Sequence, residues 1–326
     1  MDIILHVGVH KTASTYIQRR VSANCDLLAA HGVTFVSPAT YRPALAKAWS
    51  RTRLFSNVPR IRQRRQARLF ADMLQEAENA GHRRFILSEE NIVGPLDPVL
   101  TGTWFFDQAA GRVEALLRCL PTAPKQVLIA IRSYAGFFPS AYAEALKMKG
   151  FVPFDDDLKQ RYLTLDRGWP ELISEIAEVL PPETRLSAWQ HEAFPGIEQQ
   201  IMEQLVGHAP AQQLEPLIKR QQEGPTDRAM NHLHSLAARG KSLNCQRIRQ
   251  VMRATSKSDG LAGFDPWTDD EHRILAHRYK HDLGRISQNW PDLLLHPPVD
   301  QGVSGKTPST LQTPPPDARE LSLNAD

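Results

Sequence analysis

The feature that most constrains the fold lies near the amino terminus, where a short apolar stretch leads through a glycine and a lysine into three hydroxyl residues. Residues 5–18 read Leu-His-Val-Gly-Val-His-Lys-Thr-Ala-Ser-Thr-Tyr-Ile-Gln, the pattern of a strand, a loop and the start of a helix. The first N–H groups of a helix have no intrahelical partner, and with the helix dipole they favour an anion. Lys11 adds a positive charge, and Thr12, Ser14 and Thr15 add hydroxyl donors. The segment therefore predicts a loop that binds a phosphoryl or sulfuryl group.

The spacing in this loop differs from that of the common ATP- and GTP-binding loop. That loop has the pattern G-x-x-x-x-G-K-[ST], whereas Lys11 follows Gly8 by three positions and no second glycine precedes it. Because the loop is shorter, we expect it to serve a different nucleotide. The alternative is a buried strand followed by a capped helix that binds no ligand.

A second candidate site follows a second apolar stretch. Residues 126–132 read QVLIAIR, which is typical of a strand that is buried on both faces of a parallel sheet. Arg132 ends this strand at the edge where open α/β sheets bind ligands, and Ser140 lies eight residues further on in a helical pattern. A guanidinium and a hydroxyl at this spacing can converge on one phosphate. Alternatively, Arg132 only ends the strand, and Ser140 starts a helix after Pro139.

Two adjacent carboxylates follow a third short strand, predicted over residues 85–87. Ser88, Glu89, Glu90 and Asn91 come directly after it. Carboxylates at the rim of an anion site repel the ligand unless one of them pairs with a cation or accepts a proton from a hydroxyl or amine during catalysis. The alternative is that one or both cap the following turn or pair with Arg83 or Arg84.

Strand and helix patterns alternate along the first two thirds of the chain. The strand patterns cover residues 3–7, 33–37, 85–87, 127–131 and 185–189, and the helix patterns between them cover 14–30, 61–80, 112–120 and 170–180. This alternation predicts an α/β fold in which a mostly parallel sheet is flanked by helices. From residue 197 onward the pattern is helical, and we expect one domain over residues 1–295. Residues 296–326 contain six prolines and no aromatic residue, which predicts a disordered tail.

The apolar runs and the cysteines of the sequence indicate in which cellular compartment we expect the protein. The chain shows no signal-peptide pattern at its start and no apolar run approaching the roughly 18 residues of a membrane span. Cys25, Cys119 and Cys245 are widely spaced and odd in number, which fits neither a metal site nor a disulfide framework. We therefore expect a cytoplasmic protein with no metal centre and no membrane partner.

Charge is unevenly distributed along the chain. Residues 27–71 contain no acidic residue but nine basic ones: Arg42, Lys47, Arg51, Arg53, Arg60, Arg62, Arg64, Arg65 and Arg68. This patch could recognise an anionic acceptor such as an acidic glycan, steer an anionic ligand to the loop, or form a solvated helix face. Nucleic acid is a poorer partner, because aromatic residues do not alternate with these charges. Trp49 and Phe55 could instead contact an acceptor.

The motifs resemble those of sulfotransferases that use 3′-phosphoadenosine 5′-phosphosulfate (PAPS). Residues 10–15 resemble the family's 5′-phosphosulfate loop, which in bacterial members reads close to His-Lys-Thr-Gly-Thr-Thr, and they differ from it at Ala13 and Ser14. Ala13 is the notable departure, because glycine tolerates positive φ and close phosphate approach better than alanine. Arg132 and Ser140 resemble the family's 3′-phosphate-binding segment. The resemblance extends over residues 1–295, with its specificity concentrated in these two motifs.

This resemblance implies a P-loop NTPase-like sulfotransferase fold and transfer of a sulfuryl group from PAPS to a hydroxyl or amine, without a metal. By this resemblance, Lys11 is the catalytic cation and Glu90, rather than Glu89, is the general base, because bacterial members often read Ser-Ser-Glu there. Lys257 is a candidate for a further 3′-phosphate contact. The residues implied to bind PAPS are Lys11, Thr12, Ala13, Ser14, Thr15, Tyr16, Arg132 and Ser140.

Tyr16 occupies a position where some relatives place an aromatic ring against adenine, and it could equally be a core residue of the helix. Two other functions stay open at this point. One is a P-loop kinase or NTPase, although no strand ends in the aspartate expected of such an enzyme. The other is a non-catalytic nucleotide- or glycan-binding relative, which would retain Lys11 and Arg132 but lack a working base.

Overall fold

The computed structural model describes residues 1–44, 60–103, 105–217, 224–255 and 260–297. Within these ranges the strands are β1 (Asp2–His6), β2 (Val33–Val36), β3 (Arg84–Ser88), β4 (Gln126–Ile131) and β5 (Arg185–Gln190). The α-helices are α1 (Ser14–Ala23), α2 (Cys25–Ala30), α3 (Pro38–Ala44), α4 (Arg60–Asn79), α5 (Ala109–Leu117), α6 (Tyr134–Lys149), α7 (Asp156–Leu163), α8 (Trp169–Val179), α9 (Phe194–Val206), α10 (His208–Ala211), α11 (Asp227–Ala238), α12 (Cys245–Arg253) and α13 (Asp269–Asn289). All elements after β5 are helical, as the sequence pattern predicts.

The five strands form one parallel sheet in the order β2-β3-β1-β4-β5. β1 is central, and its Leu5 pairs with Leu87 of β3 on one side and with Val127 of β4 on the other. Every residue of β4 is buried, as expected for a strand that helices cover on both faces. The predicted α/β fold with a mostly parallel sheet is confirmed.

Helices cover both faces of this sheet. On one face, Ile17 of α1 and Ile201 of α9 belong to a hydrophobic cluster with Ile4 of β1. On the other face, Phe137 of α6 belongs to a second cluster with Leu5. This second cluster also contains buried residues of α4, α5, α8, α11, α12 and α13, so the last three helices share the main core.

The arrangement of helices creates a crevice at the edge of the sheet. The connection after β1 leads into α1 on one face, whereas the connection after the neighbouring strand β4 leads into α6 on the other. In open α/β sheets, ligands bind at the carboxyl ends of two strands whose connections diverge in this way. The loop with Lys11 and the residue Arg132 therefore meet at the same edge.

The helix predicted over residues 14–30 is two helices that meet at Asn24. The Asn24 amide nitrogen donates to the Arg20 carbonyl at 2.8 Å, and its amide oxygen accepts from the Glu215 N–H at 3.0 Å. These side-chain hydrogen bonds compete with the regular backbone pattern of a helix. Because Glu215 is distant in sequence, no local pattern could indicate the break.

Ser140 lies inside a helix and not at the start of one. α6 begins at Tyr134 and contains Pro139 in its interior. A proline at that point removes the N–H that would bond to the Ala135 carbonyl. The indole nitrogen of Trp267 donates to this carbonyl instead, at 3.0 Å. The alternative in which Ser140 starts a helix after Pro139 is therefore wrong.

Two further observations bear on the sequence predictions. Among the described helices, none has the length and apolar character needed to cross a membrane. Of the predicted tail, residues 298–326 lie outside the described residues.

Candidate functional site

The loop between β1 and α1 has the backbone shape of an anion-binding nest. Gly8, Lys11 and Ala13 have positive φ, at 45°, 67° and 70°, whereas Thr12 does not. Successive residues with φ of opposite sign turn their N–H groups toward one concave side, where an anion can accept several hydrogen bonds. A left-handed conformation costs a non-glycine residue roughly 1–2 kcal/mol, and here two such residues lie within three positions. Backbone strain of this kind concentrates at ligand-binding sites.

Two of the loop hydroxyls brace the loop from within. The Thr12 hydroxyl donates to the Val9 carbonyl at 2.5 Å, and the Ser14 hydroxyl donates to the same carbonyl at 3.3 Å. Gly8 must lack a side chain, because a Cβ there would lie 2.7 Å from the Ser14 Oγ. The Thr15 hydroxyl makes no hydrogen bond within the described residues and is partly exposed. Of the three hydroxyls, Thr15 is thus the one with a donor to spare for a ligand.

Arg132 reaches the loop directly. Its Nη1 donates to the Lys11 carbonyl at 2.7 Å, and the Trp169 indole fixes the Arg132 backbone by donating to its carbonyl at 2.8 Å. The Arg132 Nε is buried and has no hydrogen-bond partner among the described residues. A Cβ at Gly136 would lie 3.0 Å from this Nε, so the glycine leaves the guanidinium its space. A buried N–H without a hydrogen-bond partner lowers the stability of the fold, and this one lies beside the nest.

One face of α6 carries three residues that point toward the loop. Gly136, Ser140 and Glu144 follow one another at four-residue spacing, which places them on the same side of a helix. Gly136 lies against Arg132, and Glu144 accepts from the Lys11 ammonium at 3.2 Å. By this spacing, Ser140 lies on the helix face between Gly136 and Glu144, and its hydroxyl makes no hydrogen bond within the described residues. The structure brings Lys11 and Arg132 into direct contact, and Ser140 lies on the face of α6 that adjoins them.

Glu144 is a site residue that the sequence motifs did not reveal. One of its oxygens accepts from Lys11 and also from Lys147, at 3.2 and 3.0 Å. Burial lowers the pKa of Lys11, and the Glu144 carboxylate opposes this shift. The only available signal was its position one turn after Ser140 on the helix.

Glu89 is a structural carboxylate. It is completely buried, and Arg42 of α3 forms a two-pronged pair with it through Nε at 2.7 Å and Nη2 at 2.9 Å. One Glu89 oxygen also accepts from the backbone N–H and the side-chain amide of Asn91, which caps the short turn after β3. The alternative pairing with Arg84 is wrong, since Arg84 donates to the backbone carbonyls of α9.

Glu90 points toward the loop and is held there from two sides. Gln18 of α1 donates to one of its oxygens at 2.9 Å, and Arg42 donates to the other at 3.0 Å. Burial raises the pKa of Glu90, but His10, Gln18 and Arg42 together outweigh burial and keep the pKa below its ordinary value. Glu90 is therefore ionised at neutral pH. The turn that carries it is anchored by the buried Arg112, which donates to two backbone carbonyls of that turn.

Three histidines surround the loop and are neutral at pH 7. Burial lowers the pKa of His6 to about 4, and burial together with Arg132 lowers the pKa of His191 to about 4. His6 stacks on Trp189 with ring centroids 5.7 Å apart, and its Nδ1 pairs with the Ser88 hydroxyl at 2.7 Å. Burial also lowers the pKa of His10. Its Nε2 lies 3.1 Å from the Gly94 carbonyl.

Tyr16 lies on the side of α1 that faces α9. Its hydroxyl donates to Glu198 at 2.7 Å, and its ring meets the edge of Phe194 at a centroid distance of 5.7 Å. Both rings are only partly buried. Tyr16 thus belongs to an aromatic pair that borders the start of α1, and it is not a residue of the deep core.

The predicted basic patch is only partly within the described residues. Arg64, Arg65 and Arg68 are exposed on α4, whereas Arg42 is occupied by the two glutamates. The interior of the patch lies outside the described residues; it consists of Lys47, Arg51 and Arg53 with the aromatic residues Trp49 and Phe55. The side chains of Arg60 and Arg62 also lie outside them, and so does Lys257.

Within the described ranges, no group of three or more His, Cys, Asp or Glu side chains has an arrangement that could hold a metal ion. Comparisons of the chain with known protein families, with curated proteins and with solved structures found no match.

Proposed function

We propose that the protein is a sulfotransferase that moves a sulfuryl group from PAPS to a hydroxyl or amine of an acceptor. The observation that carries this proposal is the hydrogen bond from Arg132 to the Lys11 carbonyl at a backbone nest, beside the face of α6 on which Ser140 lies. Lys11 and Arg132 lie 121 positions apart in the chain and belong to two separate motifs. Their meeting at one sheet edge supports a ligand with more than one anionic group.

The polar groups at this edge fit the two anionic ends of such a donor. The N–H groups around Lys11 and Ala13 and the Thr15 hydroxyl would hold the 5′-phosphosulfate. Arg132 and Ser140 would hold the 3′-phosphate, since neither the buried Arg132 Nε nor the Ser140 hydroxyl has a partner among the described residues. A guanidinium suits this task because it presents two parallel donors to a phosphate.

The chemistry needs a cation at the departing phosphate and a place for the acceptor's proton. Lys11 would stabilise the negative charge that grows on the phosphate, which is the electrostatic contribution that dominates many group transfers. Glu90 lies on the opposite side of the loop and supplies the negative charge that favours proton removal. The exposed arginines of α4 support an anionic acceptor, such as an acidic glycan.

The structure also bears on the alternative of a P-loop kinase or NTPase. Such enzymes hold Mg²⁺ with a carboxylate next to the phosphate loop. Glu89 and Glu90 occupy the end of β3 beside β1, but Arg42 donates to both of them. One guanidinium therefore offsets part of the charge of the two carboxylates, and Gln18 occupies an oxygen of Glu90, which favours the sulfotransferase proposal.

The proposal is tested by calorimetry of the full chain in the presence of a metal chelator. We expect 3′-phosphoadenosine 5′-phosphate to bind much more tightly than AMP, ATP or GTP, because only it engages Arg132 and Ser140. Equal affinity for nucleotides with and without the 3′-phosphate would contradict the proposal. Transfer of the labelled sulfuryl group from PAPS to hyaluronan, or its release as sulfate when water is the acceptor, separates an enzyme from a non-catalytic nucleotide-binding protein.

A further inference from the structure

The tautomer of His10 is determined by its backbone partner. Its Nε2 lies 3.1 Å from the Gly94 carbonyl oxygen, which can only accept a hydrogen bond. In the neutral ring, the proton is therefore on Nε2 and the lone pair is on Nδ1. The ring is partly exposed, and Nδ1 makes no hydrogen bond within the described residues. His10 thus presents a free proton acceptor next to Lys11.

The charged groups around His10 are arranged to stabilise its protonated form. Glu90 and Glu89 act on the ring from the turn after β3 and favour the imidazolium, whereas Arg42 of α3 opposes it. Burial outweighs these charges and lowers the pKa of His10, so the ring is neutral before the reaction. A base that is neutral at rest and has carboxylates nearby is suited to take up a proton at neutral pH.

Glu90 is less suited to remove a proton itself. Both of its oxygens already accept hydrogen bonds, from Gln18 at 2.9 Å and from Arg42 at 3.0 Å. The same contacts and the neighbouring His10 hold the pKa of Glu90 below its ordinary value. A carboxylate with a low pKa provides little driving force for proton transfer.

We propose that Nδ1 of His10 accepts the acceptor's proton, and that Glu90 stabilises the resulting imidazolium. This inference rests on the sulfotransferase proposal. The acceptor's oxygen or nitrogen forms a bond to sulfur while the bond from sulfur to the 5′-phosphate oxygen breaks. The acceptor's proton moves to Nδ1, the electron pair of the broken bond stays on the phosphate, and His10 later releases the proton to solvent. Lys11 and His10 then act from adjacent positions of one loop.

The test compares His10→Ala, Glu90→Gln and wild type in PAPS turnover with water and with hyaluronan as the acceptor. We expect His10→Ala to lose roughly 10²–10⁴-fold in turnover, the usual effect of removing a general base. Added imidazole should restore part of this loss. Glu90→Gln should lose less, on the order of tenfold, because the Gly94 carbonyl still sets the His10 tautomer. His208→Ala, which removes an exposed histidine of α10, serves as the control that imidazole should not affect.

The pH profile separates this role from a merely structural one. Wild-type turnover should fall on the acid side of pH 6.5 as His10 becomes protonated. Glu90→Gln should move this fall to lower pH, because the imidazolium loses a stabilising carboxylate. A larger loss in Glu90→Gln than in His10→Ala, with no rescue by imidazole, would overturn the role of His10 and make Glu90 the base.

Ring-nitrogen NMR of the wild-type chain gives a readout that does not require activity. We expect the Nε2–H tautomer for His10, and the Nδ1–H tautomer would overturn the inference. A chain that fails to discriminate nucleotides by their 3′-phosphate, or that releases no sulfate from PAPS, would overturn the sulfotransferase proposal itself. Full turnover in His10→Ala would overturn only the proton-acceptor role.

Discussion

The two sides of the loop between β1 and α1 differ in how well their polar groups are satisfied. On the side of β4 and α6, neither the buried Arg132 Nε nor the Ser140 hydroxyl has a hydrogen-bond partner in the part of the chain that the structure describes. On the side of β3 and α3, Glu89 accepts hydrogen bonds from Arg42 and Asn91, and Glu90 accepts from Gln18 and Arg42. The first side has donors that the fold leaves unused, whereas the second side has acceptors that the fold already occupies.

This difference indicates which groups serve a ligand and which serve the fold. An unpaired buried donor lowers stability and is tolerated where a ligand can complete it. A carboxylate that accepts several hydrogen bonds from the protein is part of the structure. Its removal should mainly lower the free energy of unfolding. The comparison therefore predicts functional losses on the side of β4 and stability losses at Glu89.

Among variants of Lys11, Arg132, Ser140 and Glu89, the largest effect is expected for Lys11→Ala. Turnover of PAPS should fall roughly 10²–10³-fold, the range observed when one charge-stabilising donor is removed from a transition state. Affinity for 3′-phosphoadenosine 5′-phosphate should change much less, since the charge that Lys11 meets grows only as the sulfuryl group leaves. Steady-state kinetics and calorimetry on the same preparation check both statements.

Lys147→Ala is the matched control for this prediction. Lys147 shares a Glu144 oxygen with Lys11 but belongs to α6 and not to the loop. Its removal should leave turnover within a few-fold of wild type. If Lys11→Ala turned over normally and failed to hold the nucleotide, Lys11 would be a clamp for the bound donor and not a catalytic group.

The second effect concerns the 3′-phosphate preference. Arg132→Ala should remove about 1.5–3 kcal/mol of binding free energy for 3′-phosphoadenosine 5′-phosphate, the usual cost of losing a charge-assisted hydrogen bond. AMP binding should change little, so the preference between the two nucleotides should largely vanish in calorimetry.

Ser140→Ala removes the neutral hydroxyl that we expect to bind the 3′-phosphate together with Arg132. It should cost about 0.5–1.5 kcal/mol of binding free energy for 3′-phosphoadenosine 5′-phosphate. An equal loss for AMP and for the 3′-phosphorylated nucleotide in both variants would indicate that these residues shape the loop and do not contact the 3′-phosphate.

The third and smallest functional effect is expected for Glu89→Gln. Removing the charge leaves Arg42 without its buried partner, and the free energy of unfolding should fall by about 1–3 kcal/mol in denaturant titrations. Turnover should stay much closer to wild type than in Glu90→Gln, because Glu89 faces the turn and Arg42. A loss of turnover without a loss of stability would place Glu89 in the reaction.

The fold was predictable where short local patterns decide the structure. The apolar stretches of β1 and β4 are confirmed within one residue, and so is the start of the helix at Ser14. Arg132 and Ser140 could be linked to the loop because the carboxyl ends of parallel strands share one edge. These inferences need only the periodicity of the apolar residues and the rule that alternating strands and helices form a parallel sheet.

The remaining features depend on partners that are distant in sequence. Asn24 breaks a helix by bonding to Glu215, and Pro139 is tolerated because Trp267 satisfies the Ala135 carbonyl. Arg42 pairs with the glutamates after β3, although in the sequence it belongs to a basic patch that suggested an external anion. Such contacts become visible only once the sheet has brought the segments together.

The braced shape of the nest has a consequence for the entropy of ligand binding. Lys11 and Ala13 adopt left-handed conformations, and Thr12 and Ser14 tie the loop to the Val9 carbonyl. The backbone freedom of the loop is therefore lost when the chain folds and not when the anion arrives. In a flexible loop, ordering the backbone would reduce the binding free energy by roughly 1–2 kcal/mol per residue. The strained alanine and lysine thus transfer an entropic cost of recognition to the folding reaction, where the whole sheet and its helices contribute to offset it.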